Sequence, residues 1–127
     1  MKYIIDSYAW IEYLDGSLLG EKVKKILESD NEIYSLNLTI SEVISRVKRK
    51  NGDINIAYTA INSISKIAEI TPEIAKKAGE FHVEIRKKIK DFGLVDSLIL
   101  ILARELNARV VTGDEHLRGF KEAVFIK

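Results

Sequence analysis

Residues 3–7 of the chain read Tyr3-Ile4-Ile5-Asp6-Ser7. The short aromatic and β-branched run over 3–5 is typical of a strand that is buried on both faces, and Asp6 ends it. Further short apolar runs follow along the chain, separated by helical patterns: 33–36, 67–70, 109–112 and 123–126. Strands that alternate with helices predict an α/β fold built on a mainly parallel sheet.

The segments between these runs carry helix signals. Apolar residues repeat at helical spacing over 40–47, and Thr39-x-x-Glu42 matches a capping box at the start of that helix. A second, long amphipathic helix is predicted from Pro72 to the stop signal at 91–93. Residues 94–106 are apolar nearly all round, which predicts a central helix covered by sheet, helices or a partner subunit.

Length and composition narrow the possible function classes. The chain has 127 residues, so we expect residues 1–127 to form a single domain. Its 20 basic and 19 acidic residues give a net charge of +1, which excludes a broad cationic surface but allows a local one. The absence of cysteine excludes disulfides and thiolate metal sites, and makes the cytoplasm the expected compartment. No apolar run approaches the ~20 residues of a membrane-spanning helix, so no membrane association is expected.

Four acidic residues lie where strands end or helices begin: Asp6, Glu42, Asp96 and Asp114. In a parallel sheet, ligands bind in the crevice beyond the carboxyl ends of the strands, and these side chains are candidates to meet there. A purely structural role is the alternative, because acids are favoured at helix N-termini and the capping box alone would account for Glu42.

Convergence of the four acids would require a cation, since carboxylates that share a site repel one another. An all-oxygen site without cysteine or histidine ligands suits Mg²⁺ or Mn²⁺. Such an ion lowers the pKa of water and neutralises charge on a phosphoryl oxygen. The hydroxyls of Ser7 and Thr112 are candidates to support the same site, and a cap and a strand position are their structural alternatives.

Two basic residues near the end of the 40–47 helix, Arg46 and Arg49, are candidates to bind the phosphate groups of a substrate. A solvated helix end is the alternative explanation for them. His116 follows Asp114 by two residues and is a weaker candidate for contact with substrate.

The four acidic segments resemble, in order and spacing, the motifs of the PIN domain family. These segments are Ile4-Ile5-Asp6-Ser7, Thr39-Ile40-Ser41-Glu42-Val43, Val95-Asp96-Ser97-Leu98-Ile99 and Val110-Val111-Thr112-Gly113-Asp114. The resemblance implies a three-layer α/β/α sandwich and extends over essentially the whole chain. Ser97 stands where the family more often has alanine, and this departure affects no candidate ligand.

The resemblance also implies a function. PIN domains of this size are most similar to VapC toxins, which are metal-dependent endoribonucleases of toxin–antitoxin pairs. It implies that Asp6, Glu42, Asp96 and Asp114 bind Mg²⁺ or Mn²⁺ and are catalytic, that RNA is the substrate, and that Ser7 and Thr112 orient water or phosphate. It further implies a homodimer and a cognate antitoxin protein that inhibits the enzyme.

Other functions stay open at this point. One is an RNA-processing nuclease outside any toxin–antitoxin system, and another is a catalytically silent binding module. A phosphoacceptor receiver domain has a similar length and alternation but needs a second acid beside Asp6, where this chain has Ser7. A haloacid-dehalogenase-type phosphatase needs an acid at position 8, which is Tyr8.

Overall fold

The computed structural model describes residues 1–127 and contains five strands and six α-helices. The strands are β1 (Lys2–Ile5), β2 (Glu32–Leu36), β3 (Lys66–Ala68), β4 (Arg109–Thr112) and β5 (Ala123–Phe125). The helices are α1 (Ser7–Asp15), α2 (Leu18–Glu28), α3 (Asn37–Arg49), α4 (Ile54–Ile64), α5 (Pro72–Arg86) and α6 (Leu94–Leu106). A single 3-10 turn, Glu115–Leu117, follows β4. The predicted alternation of strands and helices is confirmed.

All five strands are parallel, in the order β3-β2-β1-β4-β5. From β1 the chain builds outward to β2 and β3, and then returns to the other side of β1 to form β4 and β5. The strand order therefore reverses between β1 and β4. Ligand sites of open parallel sheets lie at such a reversal, beyond the carboxyl ends of the two strands.

Adjacent residues of the central strands point to opposite faces of the sheet, and each face has its own core. Ile4 and Val110 pack with α6 and the inner side of α5, whereas Ile5 and Val111 pack with α1, α2, α3 and α4. All four side chains are completely buried, and each contributes about 1.5–3 kcal/mol through removal from water. The predicted three-layer α/β/α sandwich is confirmed.

Helix α6 is the central helix that its apolar sequence predicts, because residues 99–103 are all buried. Helix α5, in contrast, is shorter than predicted: it ends at Arg86 and does not continue to the 91–93 signal. Side chains of α5 hold the following turn in place. Arg86 Nε donates to the carbonyl oxygen of Lys90 at 3.0 Å, and His82 Nε2 lies 3.0 Å from the carbonyl oxygen of Phe92. A helical periodicity does not reveal these bonds between side chains and the backbone.

None of the helices combines the length and the apolar character that crossing a membrane requires.

Candidate metal centre

Asp6 is the most deeply placed of the four acids. It follows β1 directly and caps α1, where its Oδ1 accepts a hydrogen bond from the Ala9 N–H at 2.9 Å. The residue is only 4% exposed. The pKa of Asp6 is raised to about 7: burial is the largest cause and the charges of Asp114 and Asp96 add to it, while hydrogen bonds from Thr112 and Ala9 oppose the shift. Asp6 therefore caps α1 and is also a buried carboxyl group with no basic residue beside it.

Glu42 does not cap α3, so the capping-box interpretation is wrong. The helix begins at Asn37, directly after β2, and its N-cap residue Leu36 makes no side-chain bond. Glu42 consequently lies in the second turn, and the Thr39 hydroxyl is buried without a hydrogen-bond partner. The pKa of Glu42 is raised, first by removal from water and then by the charge of Asp96, whereas a hydrogen bond from Ser7 lowers it. The carboxylate of Glu42 is thus free for the site.

Asp96 and Asp114 serve as caps and also face the same site. Asp96 Oδ2 accepts from the Gly93 N–H at 3.2 Å at the start of α6, and Asp114 Oδ1 accepts from the His116 N–H at 2.9 Å. Burial raises the pKa of Asp96, and the charge of Asp114 raises it further. The structural alternative, that these acids are helix caps, is therefore correct for Asp96 and Asp114. A capping role does not prevent them from facing the same site.

One cavity of about 550 Å³ joins these residues at the strand reversal. All four carboxylates line it, and so do Ser7, Arg46 and Arg49. Glu42, Arg46 and Arg49 are spaced i, i+4 and i+7 along α3, which puts them on one face of that helix. The structure thus brings together seven of the eight main candidates, and the weaker candidate, His116, does not line the cavity.

Thr112 is the exception, because it is completely buried and does not line the cavity. Its Oγ1 accepts a hydrogen bond from the Asp114 N–H at 2.9 Å, and its hydroxyl also bonds to the Asp6 carboxylate. The expectation that Thr112 orients water or phosphate is not supported by this placement. Thr112 instead contacts the backbone of Asp114 and the carboxylate of Asp6.

Two further residues lie beside the four carboxylates: His116, the weaker candidate of the sequence analysis, and Asp91, which the sequence does not indicate. His116 Nδ1 lies 3.2 Å from Asp114 Oδ1 and 4.0 Å from Asp96 Oδ2, while its Nε2 lies 3.2 Å from Asp91 Oδ2. The hydrogen bond to Asp91 raises the pKa of His116, and the same bond lowers the pKa of Asp91. The short spacing between Asp114 and His116 was a sequence signal for the histidine, but nothing in the sequence indicates Asp91.

The donor set fits a divalent cation. One ligand atom from each of Asp96, Asp114 and His116 lies within 4.8 Å of the other two. Asp6, Glu42 and Asp96 all have raised pKa values, first because they are removed from water and then because neighbouring carboxylates repel one another. The carboxylate oxygens match the preferences of Mg²⁺ and Mn²⁺ better than those of soft metals.

Comparisons with known proteins agree with this architecture. The family profile described as PIN domain matches residues 3–123. Comparison with curated protein sequences gives no significant match.

Several solved structures share the fold at low sequence identity. A toxin–antitoxin complex from Klebsiella pneumoniae has 21% identity and a TM-score of 0.76, with 98% of each chain covered. DNA-bound VapBC from Salmonella typhimurium has 14% identity and a TM-score of 0.74, covering 100% of this chain and 99% of the other. VapC20 from Mycobacterium tuberculosis, a sarcin-ricin loop cleaving toxin, has 16% identity and a TM-score of 0.70, covering 94% and 97%.

At these identities the structural likeness establishes the fold, and the family profile extends over nearly the whole chain. The sheet order, the four carboxylates at the strand reversal and the profile match all lead to the same assignment. The chain belongs to the PIN domain family.

Proposed function

We propose that this protein is a metal-dependent endoribonuclease and the toxin of a toxin–antitoxin pair. One observation carries the proposal: four carboxylates from separate segments of the chain and two arginines line a single cavity. Hydrolysis of a phosphodiester is catalysed by divalent ions, which carboxylates can bind, and is assisted by basic side chains that bind the phosphates. This cavity contains both kinds of side chain. The toxin structures that share this fold, including one that cleaves the sarcin-ricin loop, support RNA as the substrate.

Asp6, Glu42, Asp96 and Asp114 would hold one or two Mg²⁺ or Mn²⁺ ions. When bound, such an ion acts as a Lewis acid on a phosphoryl oxygen and makes a water molecule more acidic. A bound ion would also offset the loss of hydration and the mutual repulsion that raise the pKa values of these carboxylates. The buried position of Asp6 keeps its carboxylate oriented through the Ala9 N–H, so little ordering is needed when the ion binds.

Ser7 and Thr112 would act on the carboxylates. The Ser7 hydroxyl hydrogen bonds to Glu42, and the Thr112 hydroxyl bonds to Asp6. Each hydroxyl therefore restricts the direction in which a carboxylate oxygen faces the cavity.

Arg46 and Arg49 would bind the phosphates that flank the cleaved bond. Both lie on the face of α3 that also carries Glu42, one and two turns further along the helix. A guanidinium group binds phosphate through two parallel N–H bonds. The two arginines also offset part of the negative charge that would otherwise repel RNA from an acidic cavity.

The finer features of the proposal concern partners. VapBC complexes among the similar structures support a cognate antitoxin that covers the cavity, and the PIN resemblance supports a homodimer. We further propose that residues 1–127 act as one nuclease unit and, since RNA is the substrate, that the protein acts in the cytoplasm.

Light scattering of the purified chain tests whether the protein is a dimer. Co-expression with a small protein encoded by a neighbouring reading frame tests the antitoxin, and the absence of such a frame would favour an RNA-processing role.

Cleavage of a panel of structured RNAs with Mg²⁺ or Mn²⁺ tests the activity directly. We expect the unmodified chain and Asp30→Asn to cleave, because Asp30 is an exposed acid between α2 and β2, outside the cavity. We expect Asp6→Asn to be inactive. Full activity of Asp6→Asn would contradict the assignment, and metal binding without cleavage of any RNA would favour the silent binding module.

A further inference from the structure

His116 lies between two carboxylates that face opposite edges of its ring. Its Nε2 is 3.2 Å from Asp91 Oδ2, and its Nδ1 is 3.2 Å from Asp114 Oδ1 and 4.0 Å from Asp96 Oδ2. One edge of the imidazole thus contacts a residue outside the metal centre, and the other edge contacts two of the proposed metal ligands. A histidine that bound only substrate would not need this double contact.

The contact with Asp91 bears on which ring nitrogen of His116 can bind a metal ion. Without a metal ion both ring nitrogens face a carboxylate oxygen at 3.2 Å, so each can carry a proton. A cation beside Asp96 and Asp114 would take the place of the Nδ1 proton, while Nε2 would continue to donate to Asp91, which leaves the Nδ1 lone pair for the ion. Histidines that bind metals usually donate their other N–H to a carboxylate in this way, and the pairing fixes the ring and strengthens the ligand. Asp91 and His116 have this relationship, with Nδ1 on the side of Asp96 and Asp114.

The ring is also held by packing. Phe92 is buried and meets the imidazole edge to face, with ring centroids 6.3 Å apart. Leu117, the next residue after His116, is completely buried and fixes the 3-10 turn. His116 is therefore directed toward the centre by its surroundings and is not a freely rotating surface side chain.

Stability alone does not explain the pair. The Asp91 side chain is 83% exposed, and ion pairs in contact with water contribute about 0–1 kcal/mol. A metal-binding role, in contrast, explains both the orientation of Nδ1 and the close approach of three ligand atoms from Asp96, Asp114 and His116.

We propose that His116 is a metal ligand through Nδ1, together with Asp96 and Asp114, and that Asp91 is the residue that positions it. This inference extends the proposed metal centre from an all-oxygen site to one with a nitrogen ligand. The consequence is ion choice: Mg²⁺ strongly prefers oxygen ligands, whereas Mn²⁺ also accepts imidazole. The chain therefore favours Mn²⁺ over Mg²⁺ more than a site of four carboxylates would.

Electron spin-echo spectroscopy of the Mn²⁺-loaded chain tests ligation without any measurement of activity. The method detects the nuclear spin of an imidazole nitrogen bound to Mn²⁺. The chain has two histidines, so two variants assign the signal. We expect a nitrogen coupling in the unmodified chain and in His82→Gln, and its loss in His116→Gln. Mn²⁺ bound without a nitrogen coupling in the unmodified chain, or a coupling that survives His116→Gln, would overturn the proposal.

Calorimetric titration with Mn²⁺ and with Mg²⁺ tests the selectivity and the role of Asp91. We expect His116→Gln to weaken Mn²⁺ binding by about 10-fold or more and Mg²⁺ binding much less, and Asp91→Asn to weaken Mn²⁺ binding by roughly 10-fold. Asp30→Asn removes an exposed acid outside the site and should leave both affinities unchanged. Equal losses for the two ions in His116→Gln would refute the claim about ion choice.

The outcome is independent of the ribonuclease proposal. RNA cleavage with no nitrogen coupling refutes the ligand assignment and leaves the enzyme assignment standing. A nitrogen coupling in a protein that cleaves no RNA supports the ligand assignment and refutes the enzyme assignment.

Discussion

The backbone of Gly113 lies so close to the ring of Tyr8 that a Cβ atom at position 113 would overlap the ring. Gly113 directly precedes Asp114, and Tyr8 lines the metal cavity. The absence of a side chain at position 113 therefore lets the first helix and the end of β4 approach each other. This contact is part of what brings Asp6 and Asp114 to the same cavity.

Gly113→Ala is accordingly expected to destabilise the protein and to weaken metal binding. Overpacking of a buried contact costs about 1–3 kcal/mol of folding stability. Movement of the backbone at position 113 away from the Tyr8 ring would also displace the adjacent Asp114. Urea denaturation and calorimetric titration with Mn²⁺ measure the two effects. The double variant Tyr8→Ala with Gly113→Ala should regain part of the lost stability, because the clash is removed.

A matched control is available in α5. A Cβ atom at Gly79 would meet nothing within 4 Å, so Gly79→Ala should stabilise the helix by about 0.5–1 kcal/mol. If Gly113→Ala were as benign as Gly79→Ala, the Tyr8 contact would have no role in shaping the site.

A second prediction concerns pH and the metal-free protein. The pKa of Asp6 is raised from 3.8 to about 7 in the folded chain, so the folded state binds more protons than the unfolded state between these values. The corresponding stability is fully present below about pH 4 and is lost as the pH rises through about 7, at about 1.4 kcal/mol per pKa unit. Glu42 and Asp96 shift in the same direction.

Denaturation in urea with a chelator, at intervals from pH 5 to pH 8, measures this effect. The free energy of unfolding should decrease over the range, and Mn²⁺ should restore it at the upper end by binding the ionised carboxylates. Asp6→Asn should flatten the decrease, because asparagine has no proton to lose and can still accept from the Ala9 N–H. A free energy that rises with pH in the metal-free wild type would show that Asp6 is not held in its buried position.

The sequence was sufficient for the fold and for the four carboxylates because both depend on local patterns. Asp6 and Asp114 follow apolar strands, and parallel strands carry their ends to one edge of the sheet. The Thr39–Glu42 pattern was misleading because α3 follows β2 with no intervening turn, so the helix starts before the threonine. A capping box is defined by spacing alone, whereas the true helix start depends on where the sheet ends.

The contact of Asp91 with His116 could not be predicted from the sequence, because α5 ends earlier than its apolar periodicity indicates. The apolar periodicity continues past Arg86, but the side chains of Arg86 and His82 bond to backbone carbonyl oxygens of the next residues and hold them in a turn. That turn carries Asp91 to His116, a residue from a distant part of the chain. Contacts of this kind arise from the packing of α5 against α6, which no local pattern specifies.

A third prediction concerns the arginines of α3. Arg49→Gln should weaken RNA binding and reduce the slope of log affinity against log salt concentration by about 0.7–1, as expected for the loss of one phosphate contact. Fluorescence anisotropy with one of the cleaved RNAs, in an Asp6→Asn background that prevents cleavage, measures the slope. Lys48→Gln removes the same charge from an exposed position of α3 that does not line the cavity. If both variants had the same slope, the arginine would act only through the general charge of the helix end.

A last prediction separates a positioning role of Thr112 from a contact with substrate. The Thr112 hydroxyl is buried, accepts from the Asp114 N–H at 2.9 Å and bonds to Asp6. Thr112→Val leaves the Asp114 N–H without a partner, which costs about 1–3 kcal/mol, and removes a bond that favours the ionised form of Asp6. We therefore expect lower stability in urea denaturation and weaker Mn²⁺ binding in calorimetric titration at pH 7, both without RNA present. Thr112→Ser keeps the hydroxyl and should retain metal affinity. If Thr112→Val bound Mn²⁺ as tightly as Thr112→Ser but cleaved RNA poorly, the hydroxyl would act on the substrate and the positioning role would be wrong.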